Sequence, residues 1–216
     1  MDYIKKTIIC FGDSNTHGYN SENNGRFTED ERWTCLLSKY IGDKYSLKEE
    51  GLSGRTTVFP DPLFEGLDGF SYISQCLMTH EPIDLLIIML GTNDTKERFS
   101  ATPRNIARGL ERLTQKAIFT TQAWSNKPNI LLIAPPPIEK GYENTDVYGD
   151  MGIGCAEKSQ ALATLYKEVA ERNGCHFLDA ASIEGMHMAP YDYMHLSKKN
   201  HELLANKLSK LIPEIC

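Results

Sequence analysis

Apolar runs of strand length alternate along this chain with stretches of helical period. Thr7–Phe11, Leu85–Leu90 and Ile130–Ala134 are short and mostly apolar, the pattern of strands buried on both faces. The last of them is stopped by Pro135-Pro136-Pro137. Tyr45–Glu50 and Cys175–Asp179 read as two further strands. Between them, Arg32–Ile41 sets Trp33, Leu36, Leu37 and Tyr40 on one helical face, and Phe70–Thr79 reads as a short helix. Pro103–Thr120 does the same with Ile106, Leu110, Leu113 and Ala117. Ala156–Arg172 carries Leu162, Leu165, Tyr166 and Val169 and ends at Asn173-Gly174, where glycine suits the left-handed turn after a helix. Lys198–Leu211 is the closing helix, with Leu204, Leu208 and Leu211 inward.

This β–α alternation predicts an α/β fold. The expected form is a three-layer αβα sandwich around a parallel sheet of about five strands. In such sheets, sites form beyond the carboxyl ends of the strands. The chain shows no internal repeat, low-complexity tract or interdomain linker, so residues 1–216 are expected to form one domain. Two long loops stand out, Gly51–Asp68 and Ile138–Gly154. The second carries Gly141, Gly149, Gly152 and Gly154 and reads equally as a mobile lid or an oligomer contact.

Composition narrows the partners. Hydrophobic residues make up 41% and charged residues 24% of the 216, ordinary for a globular protein. The net charge is -6 with no Lys/Arg cluster to offset it, which disfavours nucleic acid and anionic membrane surfaces. The N-terminal stretch from Met1 to Phe11 is too short in its apolar part for a signal peptide and reads as the first strand. No run approaches the roughly 18 apolar residues of a membrane helix. Six cysteines are scattered, without a C-x-x-C pair, which favours reduced thiols in a cytoplasmic protein. The six histidines lack an H-x-x-x-H spacing, so no metal site and no cofactor are expected.

Candidate chemistry lies in the turns. The first strand ends in Gly12-Asp13-Ser14-Asn15-Thr16-His17-Gly18, a tight βα turn that would expose a serine hydroxyl. The third ends in Gly91-Thr92-Asn93-Asp94, where Asn93 can aim an amide across the strand ends and Asp94 can cap or brace the next helix. Before the last helix lies Asp192-Tyr193-Met194-His195. An aspartate three residues ahead of a histidine can reach Nδ1, fix the tautomer and leave Nε2 free as a base. Each turn alone has a structural explanation. Together with Gly51–Arg55 they would all lie along one edge of the sheet.

Taken in this order, the turns resemble the SGNH hydrolase family, often called GDSL esterases. Gly12-Asp13-Ser14 matches its first block, and Gly54 within Gly51–Thr57 its second. Gly91-Thr92-Asn93-Asp94 matches the third, and Asp192 to His195 the last. The stretches Glu49–Thr57 and Ile87–Lys96 are similar to the bacterial arylesterase/acyltransferase branch. Asn15 departs from the leucine in the family's name, and His17 stands where that branch has tryptophan.

The resemblance implies a flavodoxin-like SGNH fold and a serine esterase acting through an acyl-enzyme on a small-molecule ester. Short acyl groups, acetyl above all, are implied, with acyl transfer as an accompanying activity. Carbohydrate acetylesterase and thioesterase activities are alternatives on the same fold. Ser14 is then the nucleophile, His195 the base and Asp192 its partner. The oxyanion hole would comprise the Ser14 and Gly54 backbone N–H groups and the Asn93 amide. Asp13, His17, Arg55 and Thr92 are candidate substrate contacts, each with a purely structural alternative. Related enzymes form oligomers, so a homo-oligomer is a further expectation. A nucleotide- or flavin-binding module is the non-enzyme alternative. Against it, Asp13 would repel phosphate at the first turn, and neither G-x-x-x-x-G-K-[ST] nor G-x-G-x-x-G occurs there. No G-x-S-x-G elbow surrounds any serine, which argues against an α/β-hydrolase proper.

Overall fold

The computed structural model describes residues 5–216; Met1–Ile4, at the start of the stretch read as the first strand, lie outside the described residues. Strands β1 (Lys6–Gly12) and β4 (Tyr45–Gly51) belong to the main sheet, and a small hairpin of β2 (Tyr19–Asn20) and β3 (Gly25–Arg26) stands between them in sequence. With β5 (Leu85–Met89), β6 (Ile130–Ala134) and β7 (His176–Asp179), the main sheet has five parallel strands in the order β4-β1-β5-β6-β7.

Strand periodicity explains the three layers. On β1, Ile8 and Cys10 point to one face, and Ile9 and Phe11 to the other. The Ile8 face is covered by α2 (Trp33–Ile41) and α8 (Lys198–Ile215), through Trp33, Leu37, Leu204 and Leu208. The Ile9 face is covered by α3 (Gly69–Thr79), α4 (Pro103–Phe119) and α7 (Leu162–Asn173), through Ile73, Leu110, Leu113, Tyr166 and Val169. Burying a Leu or Ile side chain of this kind contributes about 1.5–3 kcal/mol. β4 is one of the two edge strands and is half-buried along its whole length, so its hydrophobic pattern is faint.

Several boundaries differ from those the periodicity predicts. The helix expected over Ala156–Arg172 is two, α6 (Cys155–Gln160) and α7, after a one-turn α5 (Tyr148–Met151). The break follows Ser159, whose hydroxyl donates back to the Ala156 carbonyl and accepts the Ile138 N–H at 2.9 Å. Such side-chain bonds compete with the helical ladder. α8 runs past Leu211 to Ile215 because Ile212 is buried in the core; Pro213 falls in its last turns. The β2–β3 hairpin is too short to leave a period.

The loop 138–154 is folded. Ile138, Tyr142 and Met151 pack with Cys155, Ala156 and Met194 in a separate apolar cluster, and the Tyr142 hydroxyl donates to the Gly152 carbonyl at 2.8 Å. Among the described residues, no helix is long and apolar enough to cross a membrane.

Candidate active site

The carboxyl ends of β1 and β5, the loop after β4 and the turn before α8 meet at one edge of the sheet. β1 ends at Gly12, where a Cβ would stand 2.8 Å from the Met89 carbonyl and closer still to Thr16. The chain then turns into α1 (Ser14–His17), a single helical turn capped by Asp13, whose Oδ1 accepts the Asn15 N–H at 2.9 Å. This places Ser14 at the tip of the strand.

The Ser14 hydroxyl lies 2.8 Å from His195 Nε2. His195 Nδ1 lies 2.5 Å from Asp192 Oδ2, while Asp192 Oδ1 accepts the backbone N–H groups of Met194 and His195 at 3.1 and 3.0 Å. The carboxylate makes Nδ1 the protonated nitrogen and leaves Nε2 to accept from Ser14. Burial pushes the Asp192 carboxyl up. The hydrogen bond from His195, the charge of that ring and the two backbone donors outweigh it and hold the group below its usual value. Tyr193, at φ 59°, closes the turn between the two residues, with its N–H on the Ala189 carbonyl at 2.8 Å.

Three residues that line one cleft, Ser14, Gly54 and Asn93, each keep a donor uncommitted. Among the described residues, neither the Ser14 nor the Gly54 backbone N–H is engaged by another group. Gly54 has φ +85°, a left-handed conformation that glycine tolerates. Asn93 Nδ2 donates one hydrogen to the Arg55 carbonyl at 3.2 Å and has a second to offer. Behind Asn93, Asp94 braces the Gly51–Asp68 loop by accepting both the N–H of Thr57, at 2.9 Å, and its hydroxyl. Burial lifts the Asp94 carboxyl to about 7 against those Thr57 bonds, and the Asp13 carboxyl to about 6.

Ser14, Gly54, Asn93 and His195 line a cleft of ≈ 210 Å³. Its other walls are Tyr19, Ser53, Lys96, Val147, Asp150, Met151 and Met194. None of these seven was among the sequence candidates. The loop length over 138–154 was the one signal pointing toward Val147, Asp150 and Met151. Tyr19, on the β2–β3 hairpin, holds its ring 4.6 Å from that of His195, tilted at 52° to it. Lys96 is buried, 3.9 Å from Asp61, and Asp61 also accepts from Arg98 at 2.8 Å.

The four candidate substrate contacts are not among the residues that line this cleft. Asp13 is buried beneath the turn that carries Ser14, with Oδ1 occupied by Asn15. His17 packs its backbone against Gly51, and its carbonyl accepts from Arg26 at 2.7 Å. Thr92 is buried at the strand end, its hydroxyl without a hydrogen-bond partner among the described residues. Arg55 is buried as well, and its guanidinium turns away toward β1 and β4.

Among the described residues, one group brings metal-ligating atoms together away from the cleft. Glu50, Cys76 and His80 place theirs within 4.8 Å of one another, with His80 Nε2 2.7 Å from Glu50 Oε1. Cys76 and His80 are four positions apart, a helical spacing that a search for paired histidines passes over. The Glu50–His80 hydrogen bond and the neighbouring Arg55 cation account for the cluster without an ion.

A serine, a histidine and an aspartate in one hydrogen-bonded line at the strand ends of a parallel sheet, with free donors alongside, define the class: a serine hydrolase. The profile of the GDSL-like lipase/acylhydrolase family matches residues 10–203, and the chain belongs to that family. Among solved structures, an aryl esterase of M. smegmatis is 35% identical, with a TM-score of 0.90 over 98% of this chain and 100% of that one. A carbohydrate acetylesterase from Sinorhizobium meliloti is 33% identical, with a TM-score of 0.88 over 98% and 100% of the two chains. A lipase/acylhydrolase from Enterococcus faecalis, 19% identical with a TM-score of 0.71 over 97% of this chain and 96% of that one, shares the fold. No curated protein sequence matches at a significant level. The protein is a carboxylic ester hydrolase, a serine esterase of the SGNH type acting on small-molecule esters.

Proposed function

We propose that the protein hydrolyses short-chain esters, acetyl esters above all, through an acyl-enzyme on Ser14. The observation that carries this reading is the line Ser14–His195–Asp192 opening on a cleft of ≈ 210 Å³. That volume falls below the roughly 300–1,000 Å³ of pockets for drug-sized ligands.

Ser14 Oγ attacks the ester carbonyl carbon while His195 Nε2 takes its proton. The carbonyl oxygen becomes an oxyanion, held by the Ser14 and Gly54 N–H groups and the second Asn93 hydrogen. The carbon–oxygen bond to the alcohol then breaks, and the proton on Nε2 leaves with that alcohol. Water attacks the acyl-enzyme, giving one proton to Nε2. Collapse releases the carboxylic acid and returns the proton to Ser14. Asp192 holds the ring and stabilises its cationic form throughout. Acyl transfer is the same second half with another alcohol in place of water.

The alcohol side is open between two classes. Tyr19 and Met151 offer an aryl group an apolar wall, whereas Lys96 and Asp150 offer a sugar hydrogen-bond partners. The aryl esterase and the carbohydrate acetylesterase among the similar structures represent both. We also read the protein as cytoplasmic, where its six unpaired cysteines would stay reduced.

The test is a series of p-nitrophenyl esters of increasing acyl length beside acetylated sugars, with fluorophosphonate labelling located by mass spectrometry. The expected result is a kcat/KM maximum at acetyl and a label on Ser14 that Ser14→Ala abolishes. A maximum at long chains, or a label elsewhere, overturns the reading.

A further inference from the structure

We propose that Arg55 is the positioning residue of the oxyanion hole, tying the turn that carries Gly54 to the strand that carries Ser14 while its own carbonyl orients Asn93. This rests on the reading of Ser14, Gly54 and Asn93 as the oxyanion donors.

The guanidinium of Arg55 donates through Nη1 to the carbonyls of Gly12, at 2.9 Å, and of Glu50. The Gly12 carbonyl also accepts the Leu52 N–H at 3.1 Å, and the Leu52 carbonyl accepts the Arg55 N–H at 3.0 Å. One carbonyl at the end of β1 therefore holds both ends of the turn that contains Gly54. At the same residue, the main-chain oxygen of Arg55 takes one hydrogen of the Asn93 amide at 3.2 Å, which sets the direction of the other. All three donors are linked through Arg55: Ser14 by way of Gly12, Gly54 as its neighbour, and Asn93 through its carbonyl.

The side chain is chosen for this task. Arg55 is 4% exposed, and among the described residues no carboxylate lies within salt-bridge distance of it. Its charge is met by carbonyl oxygens and by the face of Phe11, whose centroid lies 4.2 Å from Cζ. A planar guanidinium lays its flat face on the ring while its edge N–H groups donate, a geometry that the compact ammonium of lysine does not reproduce.

Arg55→Met and Arg55→Lys are assayed beside Asn93→Ala, with melting curves to establish folding. We expect kcat to fall roughly 10–100-fold in Arg55→Met with KM near the wild-type value, and by less in Arg55→Lys. In the Arg55→Met/Asn93→Ala double variant, the loss is expected to be smaller than the product of the single losses. Arg55→Ala opens a slot toward the surface cleft lined by Glu50, Tyr72 and Gln75. Millimolar methylguanidine should restore part of its kcat, and sodium chloride of equal ionic strength should not. Full kcat in either folded single variant, a multiplicative double variant, or a folded Arg55→Ala enzyme that methylguanidine leaves unchanged overturns the proposal. Near-normal turnover in Asn93→Ala instead sinks the oxyanion reading beneath it, so the two failures are distinguishable.

Discussion

Asn15 and Leu196, 181 positions apart, are joined by a 2.8 Å hydrogen bond from the Leu196 N–H to the Asn15 side-chain carbonyl. The same amide donates through Nδ2 to the Met194 carbonyl at 3.2 Å, so it grips the chain on both sides of His195. The Asn15 main-chain oxygen accepts the indole N–H of Trp33 at 3.1 Å, which anchors the amide to the core. The residue after Ser14 thereby sets where the histidine stands relative to the serine. This accounts for asparagine at a position where the family's name implies leucine.

Asn15→Leu removes both bonds to the histidine segment and leaves a buried carbonyl and N–H unpaired, at a cost of about 1–3 kcal/mol each. We expect a melting temperature several degrees lower and a kcat reduced roughly tenfold or more. Wild-type kcat in the folded variant would show that the histidine turn holds its own position.

Asn93→Ala deletes one of the three proposed oxyanion donors while leaving the strand ends packed. Such a deletion costs on the order of 10²–10³ in kcat in a comparable hydrolase. Steady-state kinetics on p-nitrophenyl acetate, with circular dichroism to confirm folding, measure it. Turnover within about threefold of wild type would exclude Asn93 from the site.

Asp192→Asn keeps the shape of the turn but presents either an N–H or a neutral carbonyl to Nδ1, so the ring can take the wrong tautomer. A fall on the order of 10³–10⁴ in kcat is expected, by analogy with the same change in another serine hydrolase. A loss below tenfold would mean that another group orients His195.

His201 predicts a pH dependence of stability. Its ring is buried against Phe27, Nδ1 accepts the Trp33 N–H at 3.2 Å, and Nε2 has no partner among the described residues. Burial, then the charge of His195, pushes it from 6.5 down to about 3. Between those values the unfolded chain binds a proton that the folded chain refuses, so this contribution rises with pH from about 3 to 6.5 and is lost on acidification. Asp13 and Asp94, raised to about 6 and 7, act in the opposite sense and lose their contribution as pH rises through those values. Comparison with His201→Asn, which retains both carboxyls and an acceptor for Trp33, isolates the histidine. Between pH 7 and 4.5 the wild type should lose roughly 2–3 kcal/mol more than the variant in urea unfolding. Parallel losses would mean that the ring is protonated in the folded state.

Much of the layer structure is legible in the chain because it depends on short-range period. Ile8–Phe11, Leu85–Met89 and Ile130–Ala134 alternate between two covered faces, and α2, α4 and α7 each bury a stripe that their spacing announces. The helix break at Ala161 and the run of α8 through Pro213 are hidden from such reasoning, since each turns on a single hydrogen bond or one buried side chain. Glu50, Cys76 and His80 form a cluster only because β4 lies beside α3.

By itself, the sequence determined the sheet, its flanking helices, the strand-end turns that hold Ser14 and Asn93 and the turn before the last helix that holds Asp192 and His195, because all of these are written in local period and turn chemistry. Only the tertiary structure decided the walls of the cleft and the setting of Arg55. Tyr19, Lys96, Val147, Asp150 and Met151 come from a two-residue strand and from loops that have no period to read. Arg55 meets Gly12 across 43 positions, a contact that exists once β1, β4 and the loop between Gly51 and Asp68 have packed. Contacts at that separation depend on how whole elements fit together, and no stretch of residues encodes that fit alone.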